Sequence, residues 1–482
     1  MRRLKHCLFI FMIIGISFTS SAGQENEDKA YLLLDQVVVG IGSLKLPENR
    51  SRLEMRAADL LWKRDAGRAR TLFLQAAGDV VELAQQSAGK RNEPFSRYQS
   101  VAELRQKLIL TAARRDAALA YELFRKTQPG KAELAEAGRT GNENYIEQLL
   151  LTEVSRIDPK FALSKTEEML DRHAYSLAIA ATLAQLQKQD ERAATQLTEK
   201  ILGSLRPDDL LSSYDAINLT LGLLRAGPRA SEAPAGSMAQ LSVSAYRRLL
   251  ETTATAVLKP SPNQQNASDL LVNLRPLLPQ IEQHLPECYQ ALRQKMNEFK
   301  NAHTGFERLT YLTQQQTAFK AVDEGNLPLE LAQRTKTDNP EYSGQQLTAA
   351  YVLVTGRATN YEQLQNKLQV SRVLGASDPA RNFELLQSGI DQLNELISAA
   401  ATLNGFEVEM FVSNEMPLPG NSQLGAMVLQ YGQELAILAK SDFRRAVATA
   451  EQFQYPEASL FARLSIVEAA FSAPREEVVQ SK

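Results

Sequence analysis

The chain has 482 residues, 44% hydrophobic and 23% charged, with a formal net charge of −2. That is ordinary globular composition with material for one long core or two domains. The near-neutral balance, with no basic stripe, argues against a nucleic-acid partner, and the low aromatic content (7%) beside plentiful Ala, Leu, Gln and Glu favours helices over sheet.

Residues 1–22 read as a signal peptide. Arg2, Arg3 and Lys5 precede an apolar run from Cys7 to Phe18, and Ser20-Ser21-Ala22 offers small residues for cleavage after Ala22. The run is about 12 residues, short of the ~20 that span a bilayer, and no later segment predicts a transmembrane span. Cleavage removes three basic and no acidic residues, which takes the charge from −2 to −5 and leaves Cys288 as the one cysteine. With no internal disulfide, packing must stabilise the mature chain.

From there the pattern is helical. Lys29–Val39 is the first element; Val37-Val38-Val39-Gly40-Ile41-Gly42 is a poor dinucleotide loop because Lys45 stands where its third glycine belongs. Leu53–Lys63 and Ala66–Gln86 form a hairpin with Trp62 as core anchor beside the turn, and residues 91–98 are a polar loop. Val101–Ala113 and Ala117–Lys126 form the second hairpin. Asn142–Arg156, Pro159–Arg172, Ser176–Gln189 and Glu191–Leu202 give four consecutive helices, and Asp209–Leu224 one more.

Six aspartates punctuate these segments: Asp65, Asp116, Asp158, Asp190, Asp378 and Asp442. Four residues before each stands Leu61, Ala112, Val154, Leu186, Leu374 or Leu438. Four residues after stands Ala69, Ala120, Ala162, Ala194, Asn382 or Ala446. An N-cap aspartate accepts from the free N–H groups of a new helix and suits its positive end. Pro159 and Pro379 fit the first helical position. The expectation is all-α: an irregular, α-solenoid-like stack of antiparallel helix hairpins, irregular because the aspartates are 51, 42, 32, 188 and 64 residues apart.

Residues 226–268 are rich in breaks, with Gly227, Pro228, Pro234 and Gly236 before one helix (Leu241–Leu258) and a polar run after it. They predict a linker-rich segment between an N-terminal region, 23–225, and a C-terminal region, 269–474, followed by a disordered tail, 475–482. Pro276, Pro279 and Pro286 must start helices or kink them. Residues 308–334 make a further hairpin. Residues 405–422 are the exception: Phe406, Val408, Met410 and Val412 alternate with Glu407, Glu409, Phe411 and Ser413, a period of two that predicts a short extended or β-like excursion.

Chemistry-bearing motifs are scarce. No nucleophile elbow, P-loop, paired-histidine zinc motif or EF-hand loop is present in the sequence, and the mature chain has only His173, His284 and His303. His284 and Cys288 share a spacing of four, but two ligands do not make a zinc site and Pro286 lies between them. No catalytic residue, metal site or cofactor is assigned. His173, in a helix–helix turn, reads as a cap or loop residue.

The phrases RAADLLWKRDAGRARTLF, LPQIEQHLPE, GIDQLNELISAAATLNGFEVEMF and YGQELAILAKSDFRRA resemble those of exported bacterial α-helical proteins of uncharacterised function. Residues 320–334, with KAVDEGNLPLELA, resemble the turn of a tetratricopeptide repeat. The likeness implies helical repeats and no catalytic or binding residue.

The leading expectation is therefore a non-catalytic exported helical-repeat scaffold, periplasmic or extracellular, that binds a protein or peptide. Its candidate partner-binding residues are Phe406, Met410 and Phe411, in the one non-helical excursion. The alternative is an envelope enzyme acting on polysaccharide or peptide.

Overall fold

A computed structural model describes residues 19–88, 95–129, 140–229, 238–259, 264–302, 340–375, 378–406, 410–418 and 422–472. Residues 1–18 of the expected signal segment, the 308–334 hairpin with its repeat-like turn, and the 475–482 tail lie outside them, while Ser20-Ser21-Ala22, where cleavage is expected, fall within the first described helix. The fold is all-α: among the described residues there are helices and two isolated bridges, and no strand. In chain order the helices are α1 (Thr19–Ile41), α2 (Pro47–Leu61), α3 (Ala66–Ala88), α4 (Phe95–Ala113), α5 (Ala117–Lys126), α6 (Thr140–Ile157) and α7 (Pro159–Asp171). There follow α8 (Leu177–Gln189), α9 (Glu191–Ser204), α10 (Pro207–Ser212), α11 (Tyr214–Arg225), α12 (Val243–Leu258), α13 (Gln264–Leu274), α14 (Leu278–His284) and α15 (Pro286–Ala302). The last are α16 (Pro340–Val354), α17 (Tyr361–Leu374), α18 (Pro379–Leu403), α19 (Gln423–Leu438), α20 (Phe443–Ala450) and α21 (Pro456–Ser472).

All six aspartates are N-caps. Their Oδ1 atoms accept from the N–H three residues on, at 2.8–3.1 Å. Each also does a second job with its backbone. The Asp N–H donates to the carbonyl four residues back, and the Asp carbonyl accepts from the N–H four residues ahead. One residue thus closes the last turn of one helix and opens the first turn of the next, satisfying donors and acceptors that helix ends otherwise leave bare. The residues four before and four after are all buried. Asn382, the one polar member of that set, is 2% exposed and takes the Ser371 hydroxyl across the α17–α18 hairpin.

Two departures have local causes. Residues 209–224, expected as one helix, are divided at Ser213, whose hydroxyl caps α11 by accepting from the Ala216 N–H at 3.2 Å. Trp62 is half-buried rather than central; its ring meets Phe73 edge-on at 6.1 Å across the α2–α3 turn. The prolines fall where the missing N–H costs nothing: Pro276 and Pro279 in the first turns of a 3-10 segment and α14, Pro286 at the start of α15.

The chain groups into two compact units, residues 1–108 with 321–482 and residues 109–320. The first joins the two ends of the sequence. α1 packs on α21, with Tyr31 and Phe471 rings 4.4 Å apart and Gly40 so close to Leu460 that a Cβ there would lie 2.8 Å from its Cδ2. Arg56 of α2 grips Glu468 of α21 through two 2.7 Å bonds. Gly389 of α18 is the floor for Tyr431 of α19, where a Cβ would meet the phenol ring at 2.2 Å. The second unit has one continuous core cluster from Leu170 to Leu292, in which Leu224, Leu241, Leu250 and Leu271 all take part. The described part of the 226–268 stretch, through Leu241, Tyr246, Leu250 and Val257, shares this cluster with residues on both sides of it.

Candidate functional site

The period-two stretch begins at the C-terminal end of α18. Asn404 ends the helix, Gly405 adopts a left-handed φ of 86°, and the Phe406 N–H donates to the Leu403 carbonyl at 3.0 Å. Asn404 then holds the returning chain: its Oδ1 accepts from the Met410 and Phe411 N–H groups at 2.9 Å each, and its Nδ2 donates to the Phe411 carbonyl. Val412 and Glu415 exchange both backbone hydrogen bonds around Ser413 and Asn414, whose φ values are 52° and 65°. Two central residues with positive φ are the mark of a tight two-residue hairpin turn.

Residues 410–418 then fasten to helix ends that are remote in sequence. The Glu415 carboxylate accepts from the Lys45 N–H at 2.5 Å and the Leu46 N–H at 2.9 Å, at the start of α2. Neither of these two residues supplies a side-chain cap of its own: Leu46 sits at the N-cap with no side-chain bond. Glu415 thus holds the entry to α2 from 370 residues away, accepting from the N-cap residue Leu46 and from Lys45 before it, where each aspartate accepts from an N–H inside its own first turn. Asn49 accepts from the Leu418 N–H and donates to the Met416 carbonyl, while buried Glu457 accepts from the Met416 N–H at 3.0 Å. Burial pushes the Glu457 carboxyl above the usual range, with nearby Glu415 adding to the shift and the Met416 N–H opposing it. Met416 and Leu418 are fully buried.

The three candidate contact residues separate accordingly. Phe411 is 7% exposed, its ring 6.1 Å from Tyr455. Met410 is half-buried. Phe406 is 87% exposed and follows Leu403, at 45%, around the Gly405 turn. The geometry leaves Phe406 presented outward and gives Phe411 to the core.

The face of α18 leading to that turn forms a shallow open groove of about 570 Å3, lined by Asp391, Asn394, Glu395, Ser398, Thr402 and Gln454. Asn394 builds one wall by donating to the Gln452 carbonyl at 2.8 Å and accepting from the Gln454 N–H at 3.0 Å. Glu395 is paired with Arg357.

Two other polar constellations have catalytic residue types but not catalytic geometry. Lys367 is 3% exposed with Ser388 Oγ at 3.4 Å, and burial lowers its pKa. Ser388 lies within α18, where helix bonding occupies the neighbouring N–H groups, so nothing there is poised to stabilise an oxyanion. His173, at a left-handed φ of 53°, places Nδ1 3.0 Å from the Tyr175 hydroxyl. That hydroxyl also lies 2.9 Å from the Ser204 carbonyl and 3.0 Å from Asp209 Oδ2, which accepts from the Arg206 N–H as part of the α10 cap. The knot ties helix ends together, in keeping with a loop role for His173. His284 stacks edge-on against Tyr246 at 5.5 Å, and no group of three or more metal-ligand side chains occurs among the described residues.

Sequence reasoning missed Glu415, Asn49 and Glu457. The only signal was the absence of a polar residue at the α2 N-cap, where Leu46 stands. Comparison with family models, with curated proteins and with solved structures yields no match.

Proposed function

We propose that the chain is a non-catalytic, exported helical-hairpin scaffold of the cell envelope that captures a protein or peptide partner at Phe406. The carrying observation is the 87% exposure of Phe406 on a turn held by Asn404, Gly405 and the Leu403 carbonyl. A lone exposed apolar residue is ordinary on a protein surface. Phe406 differs in being anchored on both sides: the chain enters from a long helix and leaves into a clamped segment. It also follows directly on the polar groove of α18, whose Asp391, Ser398 and Thr402 offer hydrogen-bond acceptors to a partner backbone or cation. A partner that seats an apolar pocket over Phe406 and lays donors along α18 fits both features. The basic, apolar and small-residue order of residues 1–22 supports export, and the Asp-punctuated segments support repeated hairpins as the scaffold.

The test is site-specific photocrosslinking in the envelope fraction, with the photoreactive residue at 406, at 411 or at 214. Tyr214 is 64% exposed and serves as an unrelated exposed position. A discrete adduct from 406 alone supports the reading. No adduct from 406, or the same adduct from 214, sinks it.

A further inference from the structure

Three carboxyl groups and one guanidinium meet where α2 packs on α3 in the first unit. Glu54 and Asp79 are 8% and 9% exposed. Arg50 donates through Nε to the two Asp79 oxygens at 3.1 and 3.2 Å, and through Nη2 to Asp79 at 2.5 Å and Glu82 at 2.9 Å. Its Nη1 reaches the other way, to the carbonyls of Leu44 at 3.2 Å and Lys45 at 2.9 Å. All five guanidinium N–H groups are then in use. Glu54 bonds Asp79, and its Oε2 is buried with no hydrogen-bond partner. Two carboxylates have no proton to share, so this bond exists only while Glu54 is protonated and donates to Asp79. Burial, and then the charge of Asp79, push the Glu54 carboxyl up to about 8.

The carbonyls that Arg50 holds belong to the turn whose N–H groups hold Glu415. Lys45 carries both links, its carbonyl to Arg50 and its N–H to Glu415 at 2.5 Å, and the Leu46 N–H follows at 2.9 Å. When the Glu54 proton leaves to solvent, two like charges stand in contact away from water, and Arg50 is the cation at hand. Either the carboxylates part or Arg50 turns to bridge them. With no N–H to spare, bridging lets go of the turn. The other charges here are accounted for. Glu48 and Arg52 pair on α2 at 2.9 Å, and Lys107 of α4 lies beside Arg52 and Arg56. Beyond the turn, buried Glu457 of α21 faces Glu415.

We propose that the proton between Glu54 and Asp79 latches residues 410–418: with it in place Arg50 fixes the Leu44–Leu46 turn and the segment stays docked on α2, and its loss frees the segment while the helices of the unit stay folded. The latch joins the α2–α3 hairpin to the far end of the sequence through side chains and one turn. It does not depend on partner capture at Phe406.

Amide hydrogen exchange of the full mature chain at about pH 6 and about pH 9 tests the latch, with wild type and variants compared at the same pH so that intrinsic rates cancel. In wild type, protection of Lys45, Leu46, Met416 and Leu418 is expected to fall about tenfold across this range relative to Leu435 and Leu464 in α19 and α21, with the fall setting in near pH 8. Glu54→Gln, whose amide still donates to Asp79, is expected to keep the protection at both values. Glu457→Gln, which removes the other buried acid beside Glu415, is expected to lose it as wild type does. The proposal is overturned if the four amides in wild type do not respond to pH or weaken only together with Leu435 and Leu464. It is equally overturned if Glu54→Gln follows wild type, or if Glu457→Gln alone abolishes the response.

Discussion

The six aspartate turns and the clamped segment at 410–418 solve the same problem at opposite ranges. In both, a carboxylate satisfies the bare N–H groups that begin a helix. At Asp158 the donor is the Phe161 N–H, three residues away. At Glu415 the donors are Lys45 and Leu46, some 370 residues away. The first is a property of a short peptide. The second exists only once the two ends of the chain have come together in one unit. A local cap stabilises a helix; a remote cap makes one helix start depend on the assembly of the whole unit.

The comparison breaks most readily at Glu415. Glu415→Ala removes the acceptor of one buried and one part-buried N–H group and is expected to cost about 2 kcal/mol, since a buried unsatisfied group costs roughly 1–3 kcal/mol. Urea unfolding should show a lower midpoint; an unchanged midpoint would mean water replaces the carboxylate without loss.

Between the two ranges stands Glu54, 25 residues from Asp79 across the α2–α3 hairpin. Burial pushes its carboxyl up from 4.5 to about 8, and the charge and hydrogen bond of Asp79 add to the shift while Arg50 opposes it. The folded state therefore holds a proton that the unfolded state releases. Its contribution to stability is full below about pH 4.5 and is lost as the pH rises toward 8. Glu54→Gln has no proton to lose, so its stability should fall less than that of wild type between pH 5 and pH 8. Parallel pH profiles for the two proteins would contradict this.

Local caps should cost less. Asp158→Ala is expected to lower stability by about 1 kcal/mol, with Asp158→Asn recovering most of it in thermal melts. The smallest effect is expected at Phe406: Phe406→Ser should stay within about 0.5 kcal/mol of wild type while abolishing partner capture. A large loss of stability there would place Phe406 with Phe411 in the core and remove it as a contact.

The two ranges also account for what could be read from the sequence. All-α character and the six caps were legible because helix propensity, Asp at the break and small residues one turn on are short-range features. Even the exception, Asn382, was visible as an exception, although its bond to Ser371 was not. The break at Ser213 was missed because a serine cap inside an apolar run looks like helix interior until its hydroxyl turns back to the Ala216 N–H. The period of two at 405–422 suggested an extended element, yet alternation says nothing about what covers each face. Phe411, Met416 and Leu418 are covered by the unit's own helices, while Phe406, reached by one left-handed glycine, is not.

The most direct measurement of the remote cap is native-state amide hydrogen exchange at Lys45, Leu46, Met416 and Leu418. These four N–H groups should exchange as slowly as the interior of α2, because each is held by a side chain in an assembled unit, and Glu415→Gln should speed Lys45 and Leu46 selectively. Exchange of all four at the rate of an exposed loop in the wild-type protein would contradict the clamp and, with it, the assignment of 410–418 to structure rather than to partner binding.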